Sequence, residues 1–399
     1  MSSVLVSGAR RPLGHWATSW LCVLAGLATL GPLSASSSPL LPPSAPISVS
    51  VVAPAAPASA PSSASFASAP SAPSASSAFS SAASLVPECS GNVYDAFLRA
   101  PLVAPHKSSN RYVIPDRDVV LEVEASVMAV LSGDLESAWD HAFAAGFVLC
   151  RDPIADDAIY VWQPALQYTG WASFAVRPDG RPLIVEVPHP VYDTHTLDQG
   201  VGIFDVLSAR AVIVAGAHRC ANRQHSACDG MTGVCGRGPE RYRESDMAHT
   251  VDSVFHAVHR VLAVEFESDW VLSLHGMSER GISISDGTTL MTRAHSPVVR
   301  FAEVLTHMFP KIPVRSCNPF EGRRDDGAHV CGTTNVQGRQ LNGLETEACV
   351  GTATVSSDRF LHLEQSISVR RYGRAVAQAL DRILPPRSPG PRVSRLDDE

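Results

Sequence analysis

The chain has 399 residues, of which 45% are hydrophobic and 18% charged, and its formal net charge is −7. This composition supports a buried core, and without a long basic run it excludes nucleic acid as the expected partner. In residues 1–36, Arg10 and Arg11 precede an apolar run that small residues follow, which is the order of a secretory signal. The alternative is an uncleaved anchor that tethers the protein to a membrane.

Residues 37–86 consist almost entirely of Ala, Ser, Pro and Val. Such a segment lacks the large apolar side chains that offset chain entropy, so we expect a disordered linker. Residues 87–388 are expected to form one catalytic α/β domain, and residues 389–399 a disordered tail.

Cysteine usage indicates the compartment. Nine cysteines are present, and the eight that follow Cys22 predict up to four disulfides in a secreted, periplasmic or cell-surface protein. Cys317 and Cys331 flank a loop and form one candidate pair. A second candidate pair lies within the group Cys220, Cys228 and Cys235.

Hydrophobic periodicity predicts helices and strands that alternate along the domain. Helices are expected at 134–145, 196–208, 245–264, 296–309 and 372–384. Strands are expected at 159–162, 171–176, 183–187, 210–215, 270–274, 282–285 and 360–364. The turn Pro178-Asp179-Gly180 predicts a hairpin between the second and third strands. The alternation predicts a three-layer αβα fold with a central mixed, largely parallel sheet, and a site at the carboxyl ends of its strands.

Polar residues follow three of these strands. His189 and Asp193 come after the strand at 183–187, His275 ends the strand at 270–274, and Glu364 ends the strand at 360–364. A catalytic zinc needs about three His, Asp or Glu ligands and an open position for water. It also needs a carboxylate that moves the proton of that water. The pattern therefore predicts Zn²⁺ on His189, Asp193 and His275, with Glu364 as the general base.

The order of these segments resembles the zinc amidohydrolases related to the zinc carboxypeptidases, in particular the poly-γ-glutamate hydrolases and the N-formylglutamate amidohydrolases. The resemblance rests on Pro188-His189, His275-Gly276 and the segment Leu363-Glu364-Gln365-Ser366, which leads to Arg370. It implies the same three ligands and the same catalytic glutamate. One departure is that Asp193 stands where a longer Glu is usual, so Glu186 and His195 are alternative ligands.

The resemblance also implies a substrate that bears a carboxylate, such as a small peptide or a glutamyl amide. Arg219 ends a strand where the N-formylglutamate enzymes have an Asn-Arg pair, and guanidinium binds carboxylate in bidentate fashion. Arg370 is a further predicted substrate-binding residue. Arg339 and Asn342 are predicted to hold a substrate carboxylate or oxyanion, and a polar surface loop is the alternative for them.

Three alternatives stay open at this point. His256 and His259 have the i, i+3 spacing of a metal pair on a helix, although such residues are often inert. The chain could be a secreted binding module on the same fold with an incomplete metal site. It could also be a metal-independent hydrolase.

Overall fold

The computed structural model describes residues 86–99, 104–155, 157–320, 328 and 330–386. The expected signal segment, the expected tail and the expected linker up to residue 85 lie outside the described residues. Within the described part of the chain, no helix combines the length and the apolar character needed to cross a membrane.

Three helices and then four strands come first in the described chain, and from the fourth strand onward helices and strands broadly alternate as predicted. The helices are α1 (Val93–Arg99), α2 (Arg117–Ser132), α3 (Leu135–Ala144), α4 (Thr196–Val206), α5 (Val254–Glu265), α6 (Pro297–Met308), α7 (Val336–Leu341), α8 (Ile367–Arg370) and α9 (Gly373–Asp381). The strands are β1 (Phe147–Arg151), β2 (Tyr160–Pro164), β3 (Ser173–Val176), β4 (Arg181–Val187), β5 (Ala209–Val214), β6 (Met231–Thr232), β7 (Glu240–Arg241), β8 (Trp270–Gly276), β9 (Ile282–Ser285), β10 (Val314–Ser316) and β11 (Phe360–Gln365).

Nine of the described strands form one mixed sheet in the order β1-β2-β3-β5-β4-β8-β11-β9-β10. Its centre is parallel, because β4 pairs in parallel with both β5 and β8, and β8 pairs in parallel with β11. Antiparallel pairing joins β1, β2, β3 and β5 at one side and β11 to β9 at the other. The carboxyl ends of β4, β8 and β11 therefore meet at one edge, where an α/β sheet holds its ligands.

Helices cover the sheet on both faces, which confirms the predicted three-layer αβα fold. Apolar side chains of α1, α4, α6 and α9 pack with one face of the central strands. Those of α2, α3 and α5 pack with the other face. Burial on both faces explains why β4, β5 and β8 read as nearly continuous apolar runs in the sequence.

A row of polar side chains interrupts the apolar face toward α5. Because side chains alternate along a strand, Leu363 of β11 joins the core on the α4 side, whereas its neighbours in the chain face α5. The buried polar residues of this second set are Glu186, Ser273, His275, His362 and Glu364. Their placement on one face is the structural basis of the candidate site.

The predicted hairpin is wrong. Strands β3 and β4 do not pair with each other, because β5 lies between them and pairs with both. The turn at Gly180 is real, since its backbone N–H donates to the Arg177 carbonyl at 2.8 Å. A Cβ at Gly180 would lie 2.5 Å from the Arg210 Cα, so the turn passes directly against β5. The local turn signal was therefore right, and the inferred strand pairing was not.

Two further expectations need correction. The helix predicted from Ser245 begins at Val254, where the Ser253 side chain accepts from the His256 N–H as an N-cap. The segment around Arg339, for which a surface loop was the alternative to a binding role, forms the buried helix α7. The sequence patterns also missed α2, β1 and β10.

Four disulfides join the eight described cysteines, as predicted. The predicted pair Cys317–Cys331 is confirmed, and the pair within the 220–235 group is Cys220–Cys235. The others are Cys89–Cys150 and Cys228–Cys349. Four disulfides are typical of an extracellular or otherwise oxidising compartment.

Two glycines of α4 provide a test of how closely this helix packs on the sheet. A Cβ at Gly200 would lie 2.4 Å from Cγ2 of Val187, whereas a Cβ at Gly202 would have no neighbour within 4 Å. We expect Gly200→Ala to lower the free energy of unfolding by about 1–3 kcal/mol through overpacking. The matched control Gly202→Ala should raise it by about 0.5–1 kcal/mol because alanine favours the helix. Denaturant unfolding measures both, and equal effects would contradict the packing.

Candidate metal centre and its buried carboxylate

The turn after β4 brings His189 and Asp193 to one point. His189 is flanked by Pro188 and Pro190, which restrict the backbone as it leaves the strand. The Asp193 N–H donates to the His189 carbonyl at 2.7 Å, which closes a tight turn. As a result Nδ1 of His189 lies 3.4 Å from Oδ2 of Asp193, and both side chains are buried.

Strand β8 supplies the third group. His275 is buried at the carboxyl end of β8, and its Nδ1 lies 4.0 Å from the same Asp193 oxygen. The ligand atoms of His189, Asp193 and His275 all lie within 4.8 Å of one another. The structure therefore brings the three predicted ligands together, although His275 is far from the other two in the sequence.

The outer nitrogen of each histidine is engaged elsewhere. Nε2 of His189 lies 2.7 Å from Oδ1 of Asp246, and Nε2 of His275 lies 3.1 Å from Oγ of Ser273. A ring that carries its proton at Nε2 leaves Nδ1 as the nitrogen able to ligate a metal, and Nδ1 of His189 and of His275 lie 3.4 and 4.0 Å from Oδ2 of Asp193. Metal-ligating histidines use this arrangement, since a bond at the outer nitrogen sets the tautomer and the ring orientation.

Asp246 is itself held by Arg219. Nε and Nη2 of Arg219 donate to Oδ2 of Asp246 at 2.9 and 2.6 Å. Burial alone would raise the pKa of Asp246, but Arg219 and His189 hold it below its ordinary value. Asp246 therefore stays ionised and accepts the His189 proton. Sequence reasoning missed Asp246, which lies in irregular backbone.

Glu364 lies beside this cluster on β11. It is directly opposite His275 in the parallel ladder between β11 and β8. Its Oε2 is buried and has no hydrogen-bond partner among the described residues. Burial raises the pKa of Glu364 to about 8, and the Asp193 carboxylate adds to this effect, whereas His189, Arg219 and Arg370 oppose it.

His362 is a second residue that sequence reasoning missed. It precedes Glu364 by two positions, and side chains two positions apart on a strand lie on the same face. The sequence of β11 therefore already indicated that His362 lies beside Glu364. Its Nε2 lies 3.9 Å from Oε1 of Glu364, and its ring centroid lies 4.7 Å from that of His275. The ligand atoms of His275, His362 and Glu364 form a second cluster within 4.8 Å.

Burial keeps two of these imidazoles neutral. It lowers the pKa of His362 to about 3, with contributions from His249 and His189. It lowers the pKa of His275 well below its ordinary value, and His362 and His189 add to this. For His189, burial and Arg219 lower the pKa, but Asp246 and Asp193 outweigh them and the net shift is upward. Neutral imidazole is the form that ligates metals.

The alternative ligands lie outside the cluster. Glu186 is fully buried, and its Oε1 lies 2.6 Å from Nδ1 of His259. His195 is partly exposed at the start of α4, and its Nδ1 lies 3.9 Å from Asp198. Among the described residues, no metal-type cluster includes Glu186, His195, His256 or His259.

The predicted substrate-binding residues have different surroundings. Arg370 lies at the cluster: a Cβ at Gly276 would lie 2.6 Å from Cζ of Arg370 and 3.0 Å from Oδ1 of Asp193. Arg370 donates from Nη1 to the Thr194 carbonyl at 2.7 Å, and its buried Nε has no partner among the described residues.

Arg339 on α7 and Asn342 beside it are held by hydrogen bonds within the protein. Arg339 is buried, and its Nη1 donates to Oδ1 of Asp229 and, at 3.2 Å, to the Cys349 carbonyl. Asn342 is also buried, and it donates to the Asp286 carbonyl at 2.8 Å and accepts from the Ser357 N–H at 2.9 Å. These bonds account for both side chains without a substrate.

No family model matches this chain, and no curated protein matches it. Among solved structures, the zinc-free form of YndL is similar at 12% identity and a TM-score of 0.30, over 53% of this chain and 88% of that one. A candidate metallopeptidase from Shewanella baltica OS155 has 11% identity and a TM-score of 0.27, over 65% of this chain and 92% of that one. One from Shewanella amazonensis SB2B has 11% identity and a TM-score of 0.27, over 66% and 95%. Similarities this weak assign neither a family nor an activity to the chain.

The bond between His189 and Asp246 can be tested through metal affinity. With added zinc as the metal probe, we expect Asp246→Asn to weaken metal binding about 10–100-fold, because the neutral amide no longer holds the His189 ring and its proton as the carboxylate does. Asp229→Asn is the matched control, since it removes the carboxylate that pairs with Arg339, a buried arginine outside the cluster. Competition with a chromogenic chelator measures both affinities, and equal losses would contradict the role of Asp246.

The burial of Glu364 predicts how pH affects the stability of the metal-free protein. The unfolded chain ionises this carboxyl near its ordinary pKa of about 4.3, whereas the folded chain resists ionisation up to about pH 8. The contribution of Glu364 to stability is therefore present at low pH and lost as pH rises through this window. Glu364→Gln cannot ionise, so it should be more stable than the parent at about pH 9, by on the order of a few kcal/mol, and little changed at about pH 4.

Denaturant unfolding at both pH values, with chelator present, measures this difference. The control Glu347→Gln removes an exposed carboxyl and should show no such dependence on pH. A constant difference between Glu364→Gln and the parent would show that Glu364 ionises as freely in the folded chain as in the unfolded one.

Proposed function

We propose that this chain is a secreted zinc-dependent hydrolase of amide or peptide bonds in a substrate that bears a carboxylate. One observation carries the proposal. Nδ1 of His189 and Nδ1 of His275 face one oxygen of Asp193 while their outer nitrogens are held by Asp246 and Ser273, and a buried carboxylate of raised pKa lies beside them.

The donor set fits zinc. Catalytic zinc sites use three protein ligands, commonly two His and one carboxylate, with bonds of about 2.0–2.2 Å. The separation of 3.4 Å between His189 and Asp193 matches tetrahedral bonds of this length, whereas the 4.0 Å between His275 and Asp193 is wider and has to shorten when an ion is bound. The buried Nδ1 of His189 has no hydrogen-bond partner among the described residues, so a ligand here would satisfy an otherwise orphaned group.

When bound, zinc supplies the Lewis acidity that activates a water and polarises the scissile carbonyl. Glu364 then acts as the general base. Its unpartnered Oε2 accepts a proton from the attacking water and delivers that proton to the leaving nitrogen. In the metal-free chain, burial and the Asp193 carboxylate hold the pKa of Glu364 above its ordinary value, which favours the protonated form that donates to the leaving nitrogen.

Arg370 is the best placed of the arginines to orient a substrate carboxylate. Its guanidinium lies beside Asp193 over Gly276, and its Nε is free of partners among the described residues. Arg219 has two donors committed to Asp246, so its main effect is on His189. This assignment favours glutamyl amides and small peptides as substrates, in which a carboxylate lies near the scissile bond.

Elemental analysis of the purified protein tests the metal. We expect about one zinc per chain in the parent and almost none in His189→Ala/His275→Ala, which leaves Asp193 alone. His141→Ala/His256→Ala, which removes two histidines outside the cluster, should keep the zinc. If the parent takes up no metal after incubation with zinc, the hydrolase proposal is contradicted and a non-catalytic binding module is favoured.

Glu364→Gln tests the chemistry separately from the metal. This variant should retain its zinc and lose hydrolysis by at least about 10²–10⁴-fold, because the proton has no acceptor. The assay is a panel of α- and γ-glutamyl peptides and N-acyl amino acids, and Glu303→Gln is the surface control. Full activity in Glu364→Gln would show that Glu364 is not the general base. Activity that survives chelation would show that hydrolysis does not require zinc.

A further inference from the structure

One cavity in the described part of the chain lies outside the metal cluster and is rich in carboxylates. It encloses about 480 Å³ and is lined by residues of α2 and α5 and by the segments that carry Glu244 and Glu345. Its volume falls within the range of small-molecule sites. We call it the acidic cavity, after its carboxylates Asp116, Glu124, Glu244, Asp252 and Glu345.

These carboxylates outnumber the cations that face them. Arg117 and Arg260 are the two basic side chains among the lining residues. Arg260 is paired with Glu124, and Oδ1 of Asp116 accepts from the Val119 N–H as the N-cap of α2. The N–H bond leaves the charge of Asp116 in place, so the lining holds five carboxylates against two guanidinium groups and the cavity has an excess of negative charge.

Glu244 is the buried member of this group. It is 5% exposed, and its Oε2 accepts from Oγ1 of Thr250 at 2.7 Å. Burial raises the pKa of Glu244; the Thr250 bond opposes this and Asp252 adds to it, leaving a net rise. A carboxylate in this position gains from a cation that enters the cavity, because the cation offsets both burial and the repulsion from Asp252.

His256 gives a second and independent indication of a ligand. Its ring is part of the cavity wall and is only 6% exposed, and its Nδ1 is buried without a partner among the described residues. The ring stacks on His259 with centroids 5.8 Å apart, and His259 is fixed by Glu186. Burial lowers the pKa of His256 to about 3, with His259 and Arg260 adding to this, so the imidazole is neutral and can accept a hydrogen bond.

The rest of the wall is partly apolar. Ile114, Val120 and Val251 line the cavity beside the carboxylates. A small inorganic ion would leave these side chains in contact with water, whereas a ligand with an alkyl stem would cover them. Among the described residues, the His and carboxylate clusters tight enough for a metal ion lie elsewhere, around His275.

We propose that the acidic cavity binds an organic cation with an alkyl stem, such as a primary alkylammonium or a lysine-type side chain. Glu244 and Asp252 receive the ammonium group, the neutral ring of His256 forms part of the wall beside it, and the stem lies along Val120 and Val251. A merely solvated acidic surface accounts for Asp252 and Glu345, but it does not account for a buried carboxylate and a buried unpartnered imidazole in the same wall.

Calorimetric titration of the purified protein with pentylammonium tests this binding, with 1-pentanol as the probe that has the same stem and no charge. We expect saturable binding of about one pentylammonium per chain, weakened by added salt, and no saturable binding of pentanol. Absence of saturable pentylammonium binding, or equal binding of the two probes, would overturn the proposal. Zinc content and hydrolysis play no part in this readout.

Variants locate the bound cation. Glu244→Gln should weaken pentylammonium binding by at least about tenfold, since it removes a charged and desolvated acceptor. Asp252→Asn should weaken it by about threefold or more, and because Asp252 is exposed this variant decides the matter even if Glu244→Gln folds poorly. Asp118→Asn, on α2 but outside the cavity, is the matched control. Binding as tight in Asp252→Asn as in Asp118→Asn would refute the site.

Discussion

The register of three parallel strands is the constraint on which the candidate site depends. Backbone hydrogen bonds set Glu364 opposite His275 and Glu186 opposite Ser273. Since a shift of one residue would turn these side chains to the other face, the ladder determines which groups meet. The apolar packing of α4 and α6 on one face and α5 on the other holds that register. The packing of the core thus determines which polar side chains meet at the strand ends.

The polar groups at this edge are buried at a cost in stability that their mutual contacts only partly offset. Arg219, Asp246 and His189 form a continuous chain of short bonds, so the charge of Asp246 is compensated on both sides. Nδ1 of His189 and Oε2 of Glu364, in contrast, are buried without partners among the described residues. Such groups persist in native proteins where a ligand satisfies them, and a ligand that does so stabilises the folded chain.

Much of this could be predicted from the sequence, because the informative patterns were local. Apolar runs that end in polar residues identified β4, β8 and β11, and with them His189, His275 and Glu364. Long-range pairing could not be predicted in the same way: a correct turn at Gly180 led to a wrong hairpin, since nothing near it indicates that β5 intervenes. Asp246 has no periodic context. The polar character of Arg339 suggested a binding role, whereas the fold buries this residue and pairs it with Asp229, which lies 110 positions away.

The position of β11 has a consequence for how the chain is completed. This strand lies between β8 and β9, which precede it by about 75 to 90 positions and do not pair with each other. Until residues 360–365 arrive, the middle of the sheet is a gap with two open strand edges, each able to pair with another molecule. A chain that stops short of β11 therefore loses more than a catalytic carboxylate. Its sheet is divided into two parts with unpaired strand edges that can pair with other molecules. Premature termination is therefore expected to give an aggregation-prone product.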